Sequence, residues 1–145
     1  MTASSDASTP TYTIRIAKAL ADVDGAAWDA CANPPDGAHD PGDDAQKERF
    51  NPFISYAFLK ACETSGSATV RTGWSPMHVL VEDEFGALVA CAPCYMKTHS
   101  MGEYVFDYAW ADAYERAGGR YYPKMQVSAP FTPCLLYTSD AADDM

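Results

Sequence analysis

The stretch MHVLVEDEFGALVACAPCYMK, residues 77–97, constrains the fold more than any other part of the chain. Two apolar runs flank the short polar segment EDEFG. Gly86 falls where a tight turn needs a positive φ, so the pair reads as a β-hairpin. Each run is apolar at both odd and even positions. That pattern predicts a hairpin lying centrally in a sheet covered on two sides.

The flanking segments supply elements to pack against it. In YTIRIAKAL, Ile14 and Ile16 alternate with Thr13 and Arg15, the period of a strand. DVDGAAWDACA suits a short helix with Trp28 and Cys31 on one side. In NPFISYAFLKACETSG, Ser55 is a plausible N-cap, Phe58, Leu59 and Cys62 share a face, and Gly66 ends the helix. EYVFD, residues 103–107, reads as a strand whose Asp107 caps the next helix. In that helix Trp110, Ala113, Tyr114 and Ala117 form one stripe, which predicts core packing for Trp110 and Tyr114. Asp112 and Arg116 are an i, i+4 surface pair. After Gly118-Gly119, YYPKMQVS is again extended. The expected fold class is α/β of the α+β kind, a mostly antiparallel sheet flanked by helices. Residues 1–11 are expected to fray, 12–133 to form the domain, and the Pro/Gly/Asp-rich segment 34–49 to be a loop insertion.

With 145 residues, a single domain with a real core is the expectation. The net charge of −10 is unevenly spread: residues 1–49 carry −5, residues 50–133 only −2, and residues 134–145 −3. No basic stripe points to direct DNA binding. No apolar run reaches the ~18 residues of a spanning helix, and the N-terminus lacks the pattern of a secretory signal. The expected location is the cytoplasm, without a membrane.

Several side chains are candidates for chemistry. Cys91 and Cys94 form a CAPC motif, but within a strand they would point to opposite faces, which argues against thiol redox activity. His39 lies beside Asp36 and Asp40 in the polar loop and is read as exposed; no metal site is expected. Residues 95–122 hold eight of the eighteen Phe, Trp and Tyr: Tyr95, Tyr104, Phe106, Tyr108, Trp110, Tyr114, Tyr121 and Tyr122. Acids and bases are interleaved with them, a mixture that lines ligand pockets as well as core rims. Tyr108, Trp110, Tyr121, Tyr122 and Lys124 are the candidate substrate-binding residues. Glu103 with nearby His99 is the candidate catalytic pair, a base beside a proton carrier.

The segments NPFISYAFL, TGWSPMHVLVED, CYMKTHSMGEYVFDYAWADAYERAGGRYYPKMQV and PFTP resemble the FemAB-like, GNAT-related proteins labelled as peptidoglycan biosynthesis or recognition proteins. The likeness runs from about residue 12 to Pro133. It implies a GNAT-like acyltransferase fold, in a parent chain with two such units. It also implies transfer of an acyl or aminoacyl group to a small-molecule or peptidyl amine, with acetyl-CoA or aminoacyl-tRNA as donor. In that chemistry a base takes the amine proton while backbone N–H groups hold the oxyanion. A CoA pyrophosphate needs a Gly-rich turn opening a helix. ERAGGR, residues 115–120, follows a helix instead and is not such a turn.

After PFTP the resemblance stops, and CLLYTSDAADD reads as translated sequencing adapter. The expectation is a fragment, truncated after Pro133, that is inactive alone and needs no cofactor, any tRNA contact residing in the missing part. A rival reading is a non-catalytic module that binds peptidoglycan or peptide through the aromatic block 95–122.

Overall fold

The computed structural model describes residues 10–34, 50–103 and 106–132. The loop expected at 34–49, with His39, lies almost wholly outside them, as do Tyr104, Val105 and Cys134. The fold is mixed α and β, with two three-stranded antiparallel sheets and three helices among the described residues.

The hairpin organises everything else. Its first arm holds β2 (Trp74–Pro76) and β3 (His78–Glu82), and its second holds β4 (Leu88–Ala92) and β5 (Cys94–Lys97). One register runs its length, from Trp74 opposite Lys97 to Val81 opposite Ala90. Pro93 lacks an N–H and interrupts the ladder, yet the Met77 amide still donates to the Cys94 carbonyl at 2.8 Å. A bulge between Val81 and Glu82 leads into the turn. There the Asp83 carboxylate accepts the Phe85 and Ala87 amides, and Gly86 has φ of 80°.

Each half gains one outer strand. β1 (Thr13–Ala17) pairs with β3, and β6 (Lys124–Val127) pairs with β5. The sheet orders are therefore β1-β3-β4 and β2-β5-β6. This corrects the expectation of a hairpin central and covered on both sides. β4 is an edge strand, and Ile14, Val89, Met125 and Val127 are all exposed. The apolar runs are continuous because one face meets the core while the other remains uncovered, not because both are packed.

Helices α1 (Gly25–Ala32) and α2 (Tyr56–Thr64) cover the inner face. The Asp24 carboxylate caps α1 and the Ser55 hydroxyl caps α2, the latter as the sequence predicts. Leu20, Trp28, Leu59 and Leu80 are fully buried together, each contributing about 1.5–3 kcal/mol. Cys62, Ala68, Trp74 and Tyr95 form a second cluster, and Phe58 touches both. A buried pair ties the layers: His78 Nε2 lies 2.9 Å from Glu63 Oε1, and the Leu20 amide donates to the same carboxylate. His78 Nδ1 accepts from the Cys94 amide at 3.3 Å, so the imidazole proton sits on Nε2, facing Glu63.

Helix α3 (Tyr108–Arg116) forms where predicted, with the Asp112–Arg116 pair in place. Its apolar stripe is not core. Trp110 is 75% exposed and Tyr114 is 54% exposed, and only Ala111 of the helix is buried. Spacing defines a stripe but not what it faces. The strand expected at 103–107 is not seen at Phe106 and Asp107, which are irregular.

Candidate functional site

Register places the site. Lys97 on β5 stands opposite Trp74 on one side and Lys124 on the other. Two like charges directly across a ladder repel, so the pairing requires a counter-charge. Glu103 supplies it, with Oε1 at 3.8 Å from Lys97 Nζ and Oε2 at 3.6 Å from Lys124 Nζ. It can do so because residues 98–103 fold back over the strand ends. The Met101 carbonyl accepts from both Trp74 Nε1, at 3.0 Å, and Lys97 Nζ, at 3.1 Å.

Lys97 is fully buried and its ammonium lies 3.5 Å from the Trp74 ring centre, a cation–π contact. Burial pushes its pKa down to about 8; nearby Lys124 adds to the fall while Glu103 opposes it.

Asp107 is the second anchor. Its position is the N-cap of α3, but its side chain makes no capping bond. The carboxylate instead accepts from the Tyr121 hydroxyl at 2.9 Å, the Tyr122 hydroxyl at 2.5 Å, and the Lys124 ammonium. Burial alone would raise its pKa. The bonds from Lys124, Tyr122 and Tyr121 outweigh that and hold it well below the usual carboxylate range. Conversely, burial and the bond to Asp107 push the Tyr122 hydroxyl up. For Lys124, burial pulls down but the Asp107 bond and Glu103 raise the balance.

Several buried polar atoms lack a hydrogen-bond partner among the described residues: Glu103 Oε1, Ser100 Oγ and Gln126 Oε1, and, beside His78, Tyr95 Oη. An unpaired buried acceptor costs roughly 1–3 kcal/mol.

Of the sequence candidates, Glu103, Tyr121, Tyr122 and Lys124 converge in this cluster. His99 is placed differently: its ring packs on Gly73 and its Nδ1 accepts the Met101 amide, and no hydrogen bond joins it to Glu103. Tyr108 and Trp110 sit exposed on α3, with Tyr108 stacked on Phe106 at 5.5 Å. Lys97 and Asp107 are the residues that sequence reasoning missed as members of the site. Asp107 reads as a cap, and nothing local marks Lys97 as inward-facing in a run that is apolar on both faces.

The CAPC thiols are separate. Half-buried Cys91 pairs across from Leu80 on β3 and has Cys31 beside it, whereas fully buried Cys94 pairs across from Val127 on β6. Burial pushes the Cys91 thiol up to about 12, the reverse of a reactive cysteine. No group of three metal-ligating side chains occurs among the described residues, and no helix among them is long and apolar enough to cross a membrane.

A small α+β unit with a buried lysine–carboxylate–tyrosine cluster at its strand ends is the class that the fold and site define. A family model described as FemAB-like, peptidoglycan biosynthesis/recognition, matches residues 19–138. The chain belongs to the FemAB-like family, and its role is therefore peptidoglycan-related. The match extends five residues beyond Pro133. No curated protein and no solved structure matches the chain.

Proposed function

We propose that the chain carries acceptor-side residues of an acyl- or aminoacyl-transferase acting on an amine of a peptidoglycan-type peptide. The observation behind this reading is Glu103 Oε1, buried, without a hydrogen-bond partner among the described residues, and held between Lys97 and Lys124. An incoming amine satisfies that oxygen by donating an N–H to it. The same contact holds the amine with its lone pair available and receives its proton as the new bond forms. Tyr121, Tyr122 and Asp107 fix Lys124, and Lys124 and Lys97 fix Glu103, so the base is pre-positioned.

Acetyl-CoA and aminoacyl-tRNA are the donors proposed for the parent protein. The described residues do not build a pyrophosphate cradle. The starts of α1 and α2 carry the Asp24 and Ser55 side-chain caps, and α3 follows β5 only across 98–107. No donor-dependent step is assigned to this chain, and no turnover is expected from it alone. A cytoplasmic setting and any tRNA contact belong to the same proposal.

The test is calorimetric titration of the full chain with the tripeptide L-Ala-D-Glu-L-Lys and with its lysine-acetylated form. Free amine is expected to bind at least about tenfold tighter, the worth of one hydrogen bond to a charged group. Glu103→Gln is expected to erase the difference. Equal binding of the two peptides by the unaltered chain would sink the reading.

A second reading, a non-catalytic recognition module, is favoured by one observation: Phe106, Tyr108, Trp110 and Tyr114 are all exposed on and beside α3. It predicts binding of peptidoglycan fragments that is indifferent to acetylation and lost in Trp110→Ala.

A further inference from the structure

Asp107 occupies a receptor for a carboxylate. Three donors from one short segment, the Tyr121 hydroxyl, the Tyr122 hydroxyl and the Lys124 ammonium, converge on its two oxygens. The residue that fills this cradle is drawn from another place in the architecture. Its carbonyl opens α3 by accepting the Ala111 amide, yet its side chain leaves the helix uncapped. Its φ of −107° and ψ of 24° lie outside the extended conformation usual for an N-cap. Asp107 thus stands at the N-cap of α3 while its side chain is held by the cradle, so two sets of donors compete for one carboxylate.

We propose that the Tyr121–Tyr122–Lys124 cradle binds a carboxylate of the ligand, with Asp107 as its internal stand-in, displaced to cap α3 when the ligand arrives. No covalent step is involved: one carboxylate replaces another, and the net count of donors and acceptors is conserved. Lys124 Nζ also stands 3.6 Å from Glu103 Oε2. The carboxylate cradle and the Glu103 carboxylate therefore share one lysine. The ligand class that fills both carries a free amine and a free carboxylate, as an amino acid or a peptide ending in an amine-bearing residue does. The assignment of amine and carboxylate to one ligand rests on the acceptor reading above; the cradle itself does not.

Three probes separate the two: N-acetylglycine has only the carboxylate, N-acetylglycinamide neither charge, and glycinamide only the amine. Binding to the full chain is followed by the ring signals of Tyr121 and Tyr122 in NMR. N-acetylglycine is expected to bind weakly, because the tethered Asp107 competes, and N-acetylglycinamide not at all. Asp107→Ala removes the competitor and is expected to tighten N-acetylglycine at least about fivefold, since the open fraction of the site then approaches one. Adding Tyr122→Phe is expected to reverse that gain. If Asp107→Ala fails to fold, Asp107→Asn keeps the volume while weakening the competitor, and the same direction is expected. Binding of N-acetylglycine no tighter in either Asp107 variant than in the unaltered chain overturns the proposal. So does equal binding of the amide. Glycinamide reports on the other reading: if it fails to bind while N-acetylglycine behaves as expected, the cradle stands and the amine site falls.

Discussion

Lys97 Nζ lies 3.5 Å from the centre of the Trp74 ring, although the two residues face each other across a ladder whose far side holds a second lysine. A buried ammonium is costly unless paired. Here an aromatic face, one backbone carbonyl and one shared carboxylate divide the task. The arrangement ties the 98–103 segment to the strand ends, and with it the position of Glu103.

The lowered pKa of Lys97 makes stability depend on pH with a definite sign. Folded Lys97 titrates near 8, and an unfolded lysine near ~10.4. Between those values the unfolded chain binds more protons, so stability rises with pH, by at most about 1.4 kcal/mol per pH unit from this group. Well below pH 8, where Lys97 is protonated in both states, the group contributes no slope. Urea unfolding of the unaltered chain and Lys97→Met at pH 7, 8.5 and 9.5 checks this. The excess slope should vanish in the variant; parallel curves would refute the assignment.

Asp107 carries the opposite sign. Its depressed pKa contributes stability that is fully present above the unfolded value, near ~3.9, and is lost as pH falls through the folded value. Asp107→Asn is expected to cost about 1–3 kcal/mol at pH 7, the loss of charge-assisted hydrogen bonds. The gap between the two proteins should narrow below about pH 4. A gap that stays constant from pH 7 to pH 3 would show that the charge is irrelevant.

Gly102 and Gly66 provide a paired test of backbone and packing. Both have positive φ, 80° and 79°. A Cβ on Gly66 meets nothing within 4 Å, whereas one on Gly102 would lie 2.6 Å from the Phe131 ring and 2.8 Å from Trp74 Nε1. Gly66→Ala is expected to cost about 1–2 kcal/mol from the left-handed backbone alone. Gly102→Ala should cost a further 1–3 kcal/mol or so, because the 98–103 segment must lift. Thermal unfolding of both variants decides; equal losses would mean that Gly102 is not packed as described.

The CAPC motif should behave as two unreactive thiols, one half-buried and one fully buried. Cys91 lies on β4 and Cys94 on β5, in different sheets with Pro93 between them. Non-reducing mass spectrometry of the folded chain should show no Cys91–Cys94 disulfide, and both thiols should alkylate more slowly at pH 8 than a free cysteine. A disulfide-linked peptide containing both would contradict the strand geometry.

The sequence carries the elements well. The alternation in TIRIA, the Ser55 cap, the Gly86 turn and the 108–116 spacing each reflect forces acting within a few residues, and each element formed where those forces placed it. It carries faces poorly. Trp110 and Tyr114 look like core because spacing reveals a stripe but not its neighbour. Asp107 looks like a cap because the donors that outbid the helix amides arrive from residues 121–124, across a chain reversal.

The site divides along the same line. Glu103, Tyr121, Tyr122 and Lys124 stand out by residue type in an aromatic-rich segment, and Glu103 is separated from the others by a helix and a turn. What joins them is the pairing of β5 with β6, which sets Lys97 against Lys124 and leaves Glu103 to neutralise both. Local propensity and periodicity were written in the chain itself. Register, exposure and the meeting of charges were decided by tertiary structure, because Coulomb attraction and desolvation depend on distance in space, which sequence spacing does not measure.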